Sequence, residues 1–432
     1  MAELVLGLIF VVLLCVGVPV AFCIGLATMA ALLISIDTLP ALTTMAQRMA
    51  GGLNSFSLLA VPLFILSGVI MGQGGIARRL IAFAKCLVGM VPGGLALVNV
   101  VSCTLFGSIS GSAVAASSAV GGFMLPEMEK DGFDKNFGAA VTATAATTGL
   151  LIPPSNILIV YAIASGGVSI AALFLAGYLP GLLLAGALML VAYIHAKRHN
   201  LPSAGTVSLG YTLRAALDAA PSLFLVVIVI GGIIGGVFTA TEAGAIAVVY
   251  SLVLAGPIYK EITRTQWFSV FLKATETTAI VMFLVASSVA MSWLLAFNNI
   301  PTQVAEALLA VSDNPLIILL IINLVLLLVG SFMDMTPAVL IFTPIFLPAA
   351  VEMGITPLHF GIIMVLNLSI GLCTPPVGSV LFVSCAVAKT SIHNIIRPLL
   401  PMYAAMLVVL LLVTYIPGIS EALPKALGLM AK

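Results

Sequence analysis

Runs of apolar residues longer than any soluble core can absorb recur from one end of this chain to the other. One extends from Leu4 to Ile36, and others occupy 170–194, 222–256 and 269–297. About 20 consecutive apolar residues span the hydrocarbon of a bilayer. The polar remainder is too thin to hydrate soluble domains: of 432 residues, 62% are apolar and 7% are charged, against roughly 25% charged in a soluble chain. The sequence therefore describes an all-α, polytopic membrane protein and excludes ordinary soluble enzymes. A formal net charge of +1 supplies no basic field for nucleic acid.

Candidate spans lie at 4–36, 56–72, 94–107, 138–151, 170–194, 222–256, 269–297, 315–330, 360–372 and 398–417. The first is expected to be a span bent at Pro19, and not a cleavable leader, because no basic segment precedes it and it is too long. Several other runs are too short to cross alone. They end at Gly, Ser or Pro-Pro and continue into another apolar stretch, the pattern of broken helices and re-entrant hairpins. About 11 crossings and two hairpins are expected. Residues 74–92, with Arg78, Arg79 and Lys85 between apolar positions, suggest a helix lying in the interface plane. The basic stretches His195–Pro202 and Lys260–Lys273, the latter with Trp267 as an anchor, favour the cytoplasmic side.

The most informative pattern is an internal repeat. Gly149–Ala162 reads GLLIPPSNILIVYA and Gly371–Ser384 reads GLCTPPVGSVLFVS, with their Pro-Pro pairs (153/154 and 375/376) 222 residues apart. Gly107-Ser108 matches Gly330-Ser331 at a shift of 223, and Leu125-Pro126 matches Leu347-Pro348 at 222. Shared apolar composition copies Leu and Val; it seldom copies three such landmarks in register. Broken helices at corresponding positions of two halves point to a transporter's midplane site. An unpaired backbone group in hydrocarbon costs several kcal/mol, so a helix breaks only where protein, water or an ion receives the freed groups. Freed carbonyls suit a small cation and helix N-termini suit a carboxylate. One proposition follows: the two Pro-Pro interruptions face each other and jointly cradle cargo.

Around them stand the polar candidates. Gly107–Gly122 reads GSISGSAVAASSAVGG. Small residues alone would serve close helix packing, but Ser108, Ser110 and Ser112 clustered about Gly111 also suit a hairpin tip offering hydroxyls and amides. Asp334 lies in the matching region, Gly330–Pro348, among apolar residues. An ionised Asp at mid-bilayer costs about 3 kcal/mol, so it needs either a structural hydrogen bond to hairpin amides or a direct role with ion or substrate. Ser155 and Asn156 follow the first Pro-Pro, whereas Val377 and Gly378 follow the second, leaving Thr374 and backbone carbonyls to serve that half. Glu242 reads as a helix-capping scaffold residue, and His359 and His393 as interfacial.

Other chemistry is not indicated. The cysteines (Cys15, Cys23, Cys86, Cys103, Cys373, Cys385) sit in apolar runs with no metal spacing and read as small packing residues. No phosphate-binding G-x-x-x-x-G-K-[ST] motif is present, and no catalytic triad or metal cluster is visible. The duplicated broken helices argue against a channel. A transporter, not an enzyme, is the expectation.

Six stretches carry a family resemblance: Asn54–Pro62 (NSFSLLAVP), Gly107–Ala113 (GSISGSA), Ile152–Ser155 (IPPS), Phe238–Ala245 (FTATEAGA), Met333-Asp334 and Thr374–Gly378 (TPPVG). In this order, over essentially the whole chain, they resemble the large membrane subunit of tripartite ATP-independent periplasmic (TRAP) transporters. The resemblance implies a partnership with a small four-helix membrane subunit and a periplasmic substrate-binding protein, in the inner membrane of a bacterium. It implies import of an organic acid, such as a sugar acid or dicarboxylate, driven by Na+ as coupling ion, with no other cofactor. It also implies an elevator-type fold of two inverted repeats: a first half 1–205 with a hairpin at about 108–137 and a break at 153–154, connecting spans at 206–262, and a second half 263–432 with a hairpin at about 331–358 and a break at 375–376. Sodium sites would then draw on Ser108, Ser110, Gly111, Ser112, Ser155 and Asn156, and on Gly330, Asp334, Thr374, Pro375 and Gly378. Substrate contacts would draw on Ser110, Ser112, Asn156, Asp334 and Thr336. Two departures stand out: Ala116 where many relatives carry an acid, and Ser379-Val380 where many carry Leu-Asn. A single-component transporter of the same architecture is the competing expectation.

Overall fold

Glycines, prolines and capping hydroxyls cut the apolar runs into more pieces than hydropathy alone shows. The computed structural model describes residues 2–203, 208–312, 314–375 and 377–430, and no strand occurs among them. Pro376 and the expected boundary between 205 and 206 lie outside the described residues. The chain opens with α1 (Ala2–Cys15), α2 (Val20–Ser35), α3 (Thr38–Leu53), α4 (Ala60–Gln73) and α5 (Ile76–Val88). The first inner group is α6 (Gly94–Ser110), α7 (Ala113–Lys130), α8 (Lys135–Thr148) and α9 (Asn156–Ala164). Then come α10 (Ile170–Arg198), α11 (Leu209–Ile234), α12 (Ala240–Val253), α13 (Arg264–Phe297) and α14 (Ile300–Val311). The second inner group is α15 (Pro315–Phe332), α16 (Met335–Glu352), α17 (Pro357–Gly371) and α18 (Ser379–Val387), followed by α19 (Ile392–Tyr415) and α20 (Gly418–Ala426).

Among the described residues, eight helical segments are long and apolar enough to cross a membrane, and five shorter apolar helices accompany them. Some boundaries differ from the sequence expectation. The run from Leu4 to Ile36 is not one bent span: Gly17, at φ +86°, and Pro19 reverse the chain, and α1 packs back along α2. The run 222–256 is divided before Thr239, where Thr239 and Glu242 form a reciprocal capping box that starts α12. Glu242 is thus the third helical residue of that box, with Thr239 as the cap. The amphipathic α5 turns Leu80, Ile81 and Ala84 inward and packs on α6 and α11. Protein, not lipid, covers that face. Its Arg78 and Arg79 both bind Glu261.

The core is built around α8 and α17. Every residue of α8 from Phe137 to Thr148 is buried, as is every residue of α17 from Leu358 to Gly371. Helix α8 lies against α6, and α17 against α15. Each pair is pinned by buried polar groups: Asn99 donates to Thr142 Oγ1 (2.7 Å) in the first, and Asn367 donates to Asn323 Oδ1 (2.7 Å) in the second. Such groups are costly unless paired, so they fix register as well as packing. The halves are also tied to each other by Ser117 and Ser384 hydroxyls 2.7 Å apart between α7 and α18. His359 is buried, not interfacial: its Nδ1 is 2.7 Å from Ser420 Oγ, which docks α20 on the start of α17.

The two inner groups share one plan. Helix lengths run 17, 18, 14 and 9 residues in the first and 18, 18, 15 and 9 in the second. Close glycine pairs sit at matching places. A Cβ on Gly149 would lie 2.4 Å from Gly107 Cα, and one on Gly371 would lie 2.6 Å from Gly330 Cα. These pairs bring the end of each fully buried helix against the helix that leads to each tip. The hairpins turn earlier than the sequence suggests. The first reverses at 111–112, with α6 and α7 as arms, and the second at 333–334, with α15 and α16. Residues 108–137 and 331–358 instead begin at a tip and run down one arm into the next helix.

Candidate functional site

At the first tip, Gly111 takes the left-handed conformation (φ +63°) and ends α6. Ser112 is extended and its Oγ accepts from Ala115 N (3.2 Å), starting α7. A Cβ on Gly111 would lie 2.8 Å from Asn156 Nδ2, so glycine alone lets this tip sit on the first residue of α9. At the second tip, Met333 is extended and Asp334 stands at the N-cap of α16, yet its carboxylate makes no capping hydrogen bond. Val377 N donates to Ser331 O (3.3 Å), tying the second break to the second tip.

Both tips open into one cavity of about 760 Å³. It takes residues from the two halves in register. Ser112 and Asp334, Ala113 and Met335, Val114 and Thr336, Leu150 and Leu372, and Ile157 and Ser379 all line it, and the members of each pair are 222 residues apart. Ser110, Gly111 and Asn156 complete the first side. The opposite wall is a stripe of α4 and α13, among them Val61, Ile65, Ile280 and Leu284. The carboxylate of Asp334 is exposed to this space. Ser379 Oγ is buried without a hydrogen-bond partner. Hydroxyl, amide and carboxylate oxygens of the two tips thus share one cavity with a largely apolar facing wall, which suits a hard cation with an anionic small molecule. Among the described residues, no cluster of three or more His, Cys, Asp or Glu side chains could hold a metal ion.

Comparison with known proteins places this geometry. The family model described as "Tripartite ATP-independent periplasmic transporter, DctM component" matches residues 7–419. The chain belongs to the DctM family. It is 54% identical over 415 residues to an uncharacterized protein, YgiK, of Salmonella typhimurium, covering 96% of this chain and 95% of that one. It is 44% identical over 374 residues to the C4-dicarboxylate TRAP transporter large permease protein DctM of Pseudomonas aeruginosa, covering 87% of each. Its fold is similar to that of the Alcanivorax borkumensis YdaH transporter, with a TM-score of 0.65 at 16% identity, covering 88% of this chain and 89% of that one. This DctM-family protein is therefore a multi-pass transporter permease.

Within the DctM-family site, the sequence candidates divide. Ser110, Gly111, Ser112, Asn156, Asp334 and Thr336 meet at the cavity. The others do not line it. Ser108 Oγ donates to Leu105 O (2.8 Å), and Ser155, fully buried, donates to Leu150 O. Thr374 Oγ1 donates to Ile370 O (2.9 Å) and lies 3.2 Å from Tyr403 Oη, whose hydroxyl can donate to it. Gly330 is engaged with Gly371, and Pro375 is absent from the lining. The carbonyls beside Gly378 are occupied: Leu372 O accepts from Val380 N (3.2 Å) and Thr374 O from Gly378 N (3.1 Å). The second half presents Asp334, Thr336 and Ser379 to the cavity, against Ser110, Ser112, Ser118 and Asn156 of the first, so the carboxylate lies on the second side. The Pro153-Pro154 pair is buried behind the lining, so the flanks of the break, and not the prolines, meet the cavity.

Sequence reasoning missed the wall. Lys273 and Thr277 of α13 and Gln73 of α4 reach the same cavity. Lys273 closes the basic stretch Lys260–Lys273 and also falls inside the expected span 269–297; α13 begins at Arg264 and carries it nine residues into the helix. The signal was available in the spacing: Lys273, Thr277, Ile280, Val281 and Leu284 fall on one helical face.

Proposed function

We propose that this chain is the large transmembrane permease of a sodium-coupled, binding-protein-dependent importer of an organic acid, working in the bacterial inner membrane by an elevator motion. The observation that carries the reading is one cavity lined in register by both halves, with Asp334 at one tip and hydroxyls at the other. Sodium is expected among Ser110, Ser112, Asn156, Asp334 and Ser379, where it completes the site for a carboxylate. The P. aeruginosa relative carries C4-dicarboxylates in its name, and a small dicarboxylate is the first substrate to test here.

The interface between the inner groups and the outer helices supports sliding. Outward, α4 is fastened to α12 by Ser67, whose Oγ is 2.8 Å from Ser251 Oγ. Inward, its cavity stripe is apolar apart from Gln73, and Gly68 lies so close to Ser110 O that a Cβ would be 2.5 Å away. Among the described residues, no side-chain hydrogen bond joins α4 or α13 to either tip, so a shift of the tips along this wall breaks none. Each net positive charge carried inward gains about 2.3 kcal/mol per 100 mV. Two sodium ions with one monoanion would give roughly fifty-fold accumulation from the potential alone, whereas a dicarboxylate dianion needs a third sodium ion for the same gain.

A small four-helix subunit and a periplasmic receptor are the expected partners. The test is uptake of labelled succinate into vesicles holding the permease and its membrane partner, with receptor and an imposed sodium gradient. Uptake should require both receptor and sodium. Uptake driven by protons would reject the coupling, and uptake by this chain alone would favour a single-component transporter.

A further inference from the structure

The cavity has a cation that the tips do not supply. Lys273, Thr277, Ile280, Val281 and Leu284 line it from one face of α13, over about 16 Å of helix. Lys273 stands at one end of this face and is exposed, while Leu284 at the other end is buried. Helix α13 has 34 residues, about 51 Å, against hydrocarbon about 30 Å thick. Counting about 20 residues back from Phe297 reaches the neighbourhood of Thr277, so Lys273 stands at the polar boundary, where its charge stays hydrated.

The same end of the molecule is basic. Gln73, which ends the matching stripe of α4, precedes Arg78 and Arg79, and these two share Glu261. Glu261 is thereby neutralised. Lys273 forms no ion pair among the described residues, and its acidic neighbour Glu276 does not line the cavity. Asp334 is the carboxylate on the tip side of the space. A permeating anion thus has a negative group and its cation ligands at one side, an apolar wall between, and one unpaired ammonium at the basic mouth.

Resting on the organic-acid reading above, we infer that Lys273 is the binding group that the cargo's carboxylate meets between the tips and the basic mouth. The outer wall therefore reads the charge of the cargo, and not the tips alone. Lysine suits this step because a hydrated point charge on a flexible stem attracts an anion without holding it in one fixed geometry.

The first part of the test, thiol labelling, needs no knowledge of the cargo. Cys15 is the exposed thiol, and the other five are buried. In a Cys15→Ser background, Thr277→Cys places a reporter one turn from Lys273 along the cavity face. Its modification rates by an anionic (sulfonatoethyl) and a cationic (trimethylammonioethyl) methanethiosulfonate are compared in the assembled transporter. Adding Lys273→Gln should lower the anionic-to-cationic rate ratio about five-fold or more, and Lys273→Arg should restore it. Ile280→Cys, a turn deeper, should show the same trend more weakly, and it serves if the first reporter fails to assemble. In succinate uptake, Lys273→Gln should raise KM with Vmax within about two-fold. An unchanged rate ratio would overturn the inference, leaving a lysine that only reaches the lipid headgroups. Sodium-independent uptake by a protein whose rate ratio still depends on Lys273 would instead overturn the coupling mechanism and leave this inference standing.

Discussion

The first tip and the second are built alike and equipped differently. Each ends a 17- or 18-residue helix, each is backed by a glycine–glycine crossing, and each presents its residues to the same cavity. Yet the first offers Ser110, Ser112 and Asn156, whereas the second offers Asp334, Thr336 and Ser379. Their packing differs too: α6 lies along much of α7, while α15 and α16 touch over a shorter stretch. Duplicated backbone with unequal side chains teaches that the repeat fixes where the two tips meet, and local substitution fixes which groups each side offers.

The largest effect expected from breaking this comparison is at its most unequal pair. Asp334→Asn should lower sodium-driven uptake about 10–100-fold, the worth of a charged ligand. Ser112→Ala, at the matching position, should cost only a few-fold. Equal losses in a vesicle assay would mean that the tips are equivalent in chemistry as well as in shape.

The glycine crossings test the opposite limb, likeness of backbone. Gly149→Ala and Gly371→Ala should each destabilise the protein by about 1–3 kcal/mol, because a Cβ has no room at either crossing. Gly122→Ala, with nothing within 4 Å, is the control. Thermal unfolding in detergent reads all three. A large loss at one crossing and none at the other would break the structural equivalence.

Next in size is a pair of serines. Ser379→Ala removes an unpartnered hydroxyl at the cavity and should raise the sodium concentration for half-maximal uptake several-fold, as should Ser110→Ala. Ser155→Ala removes a hydroxyl engaged with Leu150 O and should instead lower stability by about 1 kcal/mol, with little change in sodium response. A reversal of these outcomes in sodium titrations would move the first ion site behind the break.

The smallest effect concerns the second half alone, where α20 docks. Burial pushes the Glu421 carboxyl up, but hydrogen bonds from Lys425 and Thr356 and the charge of Lys425 outweigh it, so its pKa lies below the ordinary 4.5. A depressed carboxylate stabilises the fold above its unfolded pKa and loses that contribution as pH falls through its folded value. The unfolding midpoint should therefore drop on acidification below about pH 4.5. The drop should be smaller in Glu421→Gln.

Much of this was legible from residues that carry a backbone meaning. Gly-Ser, Leu-Pro and Pro-Pro in register revealed the repeat because each is dictated by local geometry. The tips were legible for the same reason, since Gly111 among serines and Asp334 in an apolar run have few places to go. What the sequence could not show was the direction of side chains. Ser155 and Thr374 turn to carbonyls of their own turns, while Ser379, noted only as a departure, reaches the cavity. Spacing puts Lys273 on one helical face with Thr277, Ile280 and Leu284, but it could not say that this face is the one turned to the tips. The prolines mislead in a related way. Pro153 and Pro154 force the first break, but with no amide to donate they stand behind the groups that the break releases.

The central claim is that cargo and coupling ion share the cavity between the two tips. A high-resolution structure of the assembled transporter in sodium and succinate tests it most directly. The account predicts ligand density bounded by Ser110–Ser112, Asn156, Asp334 and Ser379, with ion density beside the Asp334 carboxylate. Ligand seated elsewhere while this cavity holds only water would contradict it.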